Sequence, residues 1–467
     1  MNGFPRTYLS RTLSIVLFLR LLVGATSHGI GLPALFSDHM VLQCNQPVPV
    51  WGWADPGESV TVTFAGMTKS ATTNAAGQWV VRLDPLESAQ TGELVIRASQ
   101  TITLTDVIVG EVWLASGQSN MHANLTARHP DRERVLDESD DPWVRQFTVE
   151  RDVNHPARQL SGVWRKANRA NLTASRTDGD SSVAYFFSRQ IRTKLNRPVG
   201  VVHASVGATS IQSWSPGGRL FQTMIEPCAP FGIRGAIWYQ GESDLERGKT
   251  AEYADLLQRH VSAWRNLWNQ GDFPFLFVQL APFQYSKKTV GPLKDAPVDP
   301  FELPRFWEIQ SALRQSIPSA GLAVIHDSVP PTEIDNIHPL NKKIPGERLA
   351  ALALAKVYEQ TSTPCEGPFY RSMTVEGQSI RIHFSGAQGG LATRDGCAPD
   401  LFEIAGADLQ YVPGSARIED ETVLVQSPLV PRPVAVRFGW HETARPNLMN
   451  RHGLPAFPFR SDRPNTP

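Results

Sequence analysis

Residues 111–121 read EVWLASGQSNM, and the fold of the chain turns on them. Val112, Trp113 and Leu114 are apolar and β-prone, as a buried strand requires. Gly117 ends the strand, and Gln118, Ser119 and Asn120 suit a strand-to-helix turn. A serine at such a turn exposes its hydroxyl and points its own N–H toward the next helix, where it can help hold an oxyanion. Ser119 is therefore a candidate nucleophile. A plain turn serine is the competing reading, because Met121 stands where the G-x-S-x-G elbow has its second glycine.

Downstream, strands alternate with helices. Residues 182–194 and 251–268 carry helical periodicity, and 199–203, 235–239, 275–280 and 322–325 are short apolar runs of strand character. Such alternation predicts a parallel sheet with helices on its faces, and ligands at the carboxyl ends of its strands. Residues 128–180 are polar and poorly periodic, and read as surface excursions. Upstream, 32–107 is all-β, with runs at 48–53, 60–64, 79–83 and 94–98 separated by turn signals, which suits a small sandwich. The tail from about 365 returns to β. The expected organisation is an α/β domain over 108–362, a β-sandwich-like segment over 28–107 and a β-rich segment over 363–467.

Lys plus Arg and Asp plus Glu both number 45, so no net charge recruits nucleic acid or an anionic membrane. The first 27 residues read as an export signal: Arg6 and Arg11 precede an apolar run, and Ala25, Thr26 and Ser27 offer small residues for cleavage. A secreted or periplasmic protein with no membrane span after cleavage follows. The four cysteines include no C-x-x-C, which speaks against a zinc or thioredoxin-like site. Cys365 and Cys397 are close enough in sequence to be a candidate pair, while Cys44 and Cys228 read as buried thiols.

A serine nucleophile needs a base, and the base needs an orienting acceptor. Asp335 and His338, three apart in DNIHP, can set a carboxylate on one imidazole nitrogen and aim the other at the serine. His203 and His326 read as strand-end or packing residues, and Asp327 as a substitute acid. Two further strand ends offer oxyanion donors: the N–H of Gly207 in SVGAT and the side-chain amide of Gln240 in WYQGES. Singly, a turn glycine and a capping glutamine explain them better, but four such stretches at the strand ends of one α/β segment do not read as coincidence.

Together these blocks resemble the sialate O-acetylesterases of the SGNH (GDSL-like) hydrolase superfamily. The resemblance rests on GQSNM at 117–121, SVGATSIQSW at 205–214, IRGAIWYQGESD at 233–244 and DNIHPLNKKIPGERLA at 335–350. LPALFSDHMVLQ at 32–43, VAVRFGW at 434–440 and NLMNRHGLPAFPFR at 447–460 extend it over almost the whole chain after residue 27. Cys228 departs from it, standing where an aliphatic residue is expected. The resemblance implies a flavodoxin-like SGNH domain between β-rich segments, a triad of Ser119, His338 and Asp335, and oxyanion donors at Ser119, Gly207 and Gln240. It implies no metal or organic cofactor, and an O-acetylated sugar or glycan as substrate. Sialic acid leads, xylan or another polysaccharide is the alternative, and a glycan-binding protein on a hydrolase scaffold is the rival from another class. The oligomeric state is not written in the sequence.

Overall fold

The computed structural model describes residues 29–125, 128–150, 160–174, 179–288, 297–387 and 389–462. The expected export signal lies outside them. Six strands open the described chain: β1 (Val41–Gln43), β2 (Val48–Trp53), β3 (Ser59–Phe64), β4 (Met67–Thr72), β5 (Gln78–Leu83) and β6 (Thr91–Arg97). The next, β7 (Thr101–Gly117), is 17 residues long and crosses residue 107 without a break. Its first half pairs antiparallel with β6 and parallel with β1, and its second half enters the central parallel sheet. The sandwich-like segment and the α/β region therefore share a strand.

The remaining sheet strands are β8 (Asp141–Val149), β9 (Gly162–Ala167), β10 (Val199–Ser205), β11 (Gly235–Tyr239), β12 (Phe275–Val278) and β13 (Ala320–Ala323). Their order is β13-β12-β11-β7-β10-β8-β9, with every pair from β13 to β8 parallel and the β8–β9 pair antiparallel. Without the β8–β9 hairpin this is the flavodoxin-like order, with β7 as the first strand and the chain reversing direction of growth there. The hairpin lies within 128–180, so that stretch is not merely surface excursion. It adds an edge to the sheet, and its polar sequence is that of a strand pair with one solvated border.

Side chains alternate along the central strands. Val112, Leu114, Ala236, Trp238, Phe275 and Phe277 enter one core, and Trp113, Ala115, Ile237, Leu276 and Val278 the other. The first core is covered by α-helices Tyr253–Trp268 and Glu302–Ser316, through Leu257, Trp264, Leu303 and Trp307. The second is covered by helices Ser182–Leu195 and Lys343–Lys356, through Val183, Phe187, Leu349 and Leu352. These two helices approach closely at Gly346, where a Cβ would lie 2.7 Å from the Val183 carbonyl oxygen. Buried on both faces, the strands read as continuous apolar runs. The tail forms two four-stranded antiparallel sheets around Ile380, Ile404, Val423, Val436 and Phe438.

All four cysteines are free, so Cys365 and Cys397 are not paired. Cys397 is exposed at a turn, whereas Cys365 packs against the core beneath helix Lys343–Lys356. Among the described residues no helix is long and apolar enough to cross a membrane.

Candidate active site

Register brings the candidate stretches to one level. Gly117 at the end of β7 stands opposite Ser205 on one side and Tyr239 on the other. The residues that follow all three strands therefore emerge at the same carboxyl edge, at the point where strand order reverses. Gly117 permits this: its φ is 137°, and a Cβ there would lie 2.1 Å from the Tyr239 carbonyl oxygen. The chain then turns, and Ser119 opens a four-residue helix.

His338 arrives from a loop between β13 and helix Lys343–Lys356, and its Nε2 lies 2.8 Å from Ser119 Oγ. That is the separation for a hydroxyl donating to an imidazole nitrogen. Gly207 sits against the serine from the end of β10; a Cβ on it would be 3.4 Å from Ser119 Cβ. The N–H groups of Ser119 and Gly207 have no hydrogen-bond partner among the described residues. A serine hydroxyl, an imidazole and two unbonded N–H groups thus converge on one edge.

A family profile described as "carbohydrate esterase, sialic acid-specific acetylesterase" matches residues 109–318. The chain is 27% identical to the human sialate O-acetylesterase over 399 residues, covering 73% of this chain and 74% of that one. It is 25% identical to the Rattus norvegicus sialate O-acetylesterase over 435 residues, covering 75% and 79%. The crystal structure of a carbohydrate acetylesterase from Xanthomonas citri superposes with a TM-score of 0.84 at 33% identity, covering 93% of this chain and 99% of that one. The chain belongs to the sialic acid-specific acetylesterase family of carbohydrate esterases. It is a carboxylic ester hydrolase with the SGNH fold.

Two residues that the family resemblance places in the site stand differently in this family member. Asp335 is exposed and makes no hydrogen bond or ion pair among the described residues. The His338 peptide is instead held by Asn336, whose Oδ1 accepts the His338 N–H at 3.1 Å and whose Nδ2 donates to the His338 oxygen at 2.8 Å. Gln240 is at the site, but both protons of its amide are engaged. They go to the Thr209 carbonyl at 3.0 Å and to the Asp244 carboxylate, while Tyr253 donates to Oε1 at 3.2 Å. Asp244 also accepts from the Ile211 N–H at 3.0 Å, and its burial raises its carboxyl above the usual range. In this arrangement Gln240 anchors the loop that carries Gly207 rather than offering a free donor.

His203 and His326 are buried, as their sequence context predicts. His203 contacts the Ser205 hydroxyl at 2.6 Å, and His326 the Ala456 carbonyl at 2.9 Å. Burial pushes the first down to about 3 and the second to about 4, so both are neutral. Asp327 is held by a bidentate pair with Arg348, well below the ordinary carboxylate range, and so is not the acid for His338.

Sequence reasoning missed three buried polar residues beneath the serine: Asn120, Glu242 and Lys342, only 1%, 2% and 3% exposed. Lys342 donates to Asn120 Oδ1 at 2.6 Å, and Asn120 Nδ2 donates to Glu242 Oε1 at 2.6 Å and to the Ile337 carbonyl at 3.1 Å. Burial raises the Glu242 carboxyl to about 7 and lowers the Lys342 ammonium to about 7. All three fall inside the sequence blocks GQSNM, QGESD and HPLNKK. The available signal was a charge of each sign inside otherwise buried strand-end motifs.

Proposed function

We propose that this enzyme is a serine esterase that removes O-acetyl groups from sugars, with O-acetylated sialic acid as its first substrate. The observation that carries the reading is the 2.8 Å approach of Ser119 Oγ to His338 Nε2 beside two unbonded backbone N–H groups. His338 takes the hydroxyl proton as Ser119 attacks the acetyl carbonyl carbon. The N–H groups of Ser119 and Gly207 then hold the oxyanion, with Gln240 anchoring the Gly207 loop through Thr209. As the bond to the sugar oxygen breaks, His338 returns the proton to that oxygen. A water molecule, deprotonated by His338, attacks the acetyl-serine; the bond to Ser119 Oγ breaks, His338 returns the proton to Oγ, and acetate leaves. Asp335 is the orienting carboxylate of this reading, its contact with His338 closing in the substrate complex, as catalytic hydrogen bonds commonly do. Export through residues 1–27 belongs to the same proposal.

The test is acetate release from 9-O-acetylated sialic acid beside acetylated xylan at equal acetyl concentration. Preference for sialic acid supports the full reading, and preference for xylan keeps the mechanism and moves the substrate. An organophosphonate should label the wild type and not Ser119→Ala, which should lose turnover by at least about 10⁴-fold. A folded protein that neither turns over nor labels would be a glycan-binding relative instead.

A further inference from the structure

Asn120 occupies a junction between three strand-end loops. It follows the nucleophile, Ile337 precedes the base, Glu242 opens the helix after β11, and Lys342 caps the helix Lys343–Lys356. Every polar position of its side-chain amide is filled: Oδ1 by Lys342, Nδ2 by Glu242 and by the Ile337 oxygen. The orientation of that amide is dictated by its partners. The backbone carbonyl of Ile337 only accepts, which puts Nδ2 on its side, and the ionised forms of Lys342 and Glu242 favour the same orientation. A flipped amide would set NH₂ against the Lys342 ammonium and oxygen against both Glu242 and the Ile337 carbonyl.

We propose that Asn120 is a positioning residue for ester hydrolysis: its bond to the Ile337 oxygen fixes the gap between Ser119 Oγ and His338 Nε2. Lys342 and Glu242 lock the amide in the one orientation that can make that bond. The Asn120 tie at Ile337 and the Asn336 clamp at His338 hold the base loop at consecutive residues. Burial makes the lock stiff, because Lys342 and Glu242 are both out of water and Asn120 is the polar group between them. Glu242 Oε2 is buried with no partner, so the carboxylate has no second donor to turn toward among the described residues. Reacting groups displaced by about 1 Å lose on the order of 100-fold in rate.

This role rests on the assignment of Ser119 and His338 above, and the controls separate the two. On p-nitrophenyl acetate, Asn120→Ala should lower kcat by about 30–100-fold and leave KM within about threefold. Asn120→Asp keeps the volume and the acceptor for Lys342 but cannot donate to the Ile337 oxygen, and carries the same expectation at pH 8. In a His338→Ala background, where only slow residual turnover remains, either change should cost less than about threefold, because the base it positions is gone. Wild-type kcat in a folded Asn120 variant, or an equal fractional loss in both backgrounds, overturns the proposal. So does failure of both Asn120 variants to fold, which would make the bridge a folding element. Full turnover in His338→Ala would sink the esterase mechanism itself.

Discussion

Ser119 and His338 are 219 residues apart in the chain, and nothing local brings them together. The serine is placed by its strand, while the histidine depends on side chains that grip its loop: Asn336 at its own peptide and Asn120 at the preceding one. Two assignments at this scale have direct tests. If Asp335 orients the imidazole during turnover, Asp335→Ala should lower kcat by about 10–100-fold at pH 7 with little change in KM. A drop of less than threefold would remove Asp335 from the proposed triad. Gln240→Ala removes the anchor on the Thr209 carbonyl and leaves the Asp244 carboxylate without that donor. The Gly207 loop should loosen and kcat fall by about 10–100-fold on p-nitrophenyl acetate. Activity within threefold of wild type would show that the Gly207 loop holds its place without this anchor. Residue types and order were legible in the sequence for Ser119, His338 and Gly207. The state of Gln240 was not, since it depends on Asp244 and Tyr253, which contact it only after folding.

Strand β7 is the element on which the site is built. It carries the sandwich-like segment at one end and leads into the Ser119 turn at the other. Its last residue is the most constrained: Gly117 has a φ of 137°, and a Cβ would collide with the Tyr239 carbonyl. Gly117→Ala should therefore cost about 3 kcal/mol or more in urea unfolding, and abolish most turnover by pushing β7 and β11 apart. A cost under 1 kcal/mol would show that the turn can relax. The strands at 48–53 and 235–239 and the helix at 182–195 were legible because apolar spacing and turn residues agreed there. Helices Glu302–Ser316 and Lys343–Lys356 were obscured, the first by Pro304, the second by Pro345 and Gly346. In the second, apolar residues on all sides also erase the amphipathic pattern. The β8–β9 hairpin was hidden by its polar composition, and it holds its place by pairing with β10.

Across the whole molecule, buried titratable groups set how stability answers to acid. His129, His203, His260 and His326 all have pKa values lowered by burial. Their unfolded counterparts take up protons below about 6.5 while the native forms stay neutral, so each favours unfolding as the pH falls. Asp180, Glu242 and Asp244 are raised by burial and act with the opposite sign. They hold protons in the fold that the unfolded chain releases above the ordinary carboxylate range, so each stabilises the fold as the pH falls. The two sets oppose one another as the pH falls from about 6.5 to 4.5, so removing a raised carboxyl leaves the histidines less opposed. Urea unfolding at half-unit steps across that range reads this balance. Glu242→Gln removes one opposing carboxyl and should make stability fall more steeply with acid by up to about one proton, or about 1.4 kcal/mol per pH unit, whereas an unchanged slope would mean that Glu242 is ionised throughout. The pair beneath the serine adds a further signature. The raised carboxyl of Glu242 costs stability as the pH climbs toward 7, and the lowered ammonium of Lys342 costs it as the pH falls toward 7 from above. The burden of the Asn120 lock is thus greatest near neutrality. A Glu242→Gln, Lys342→Met double variant should gain stability over wild type most at pH 7 and least at the extremes.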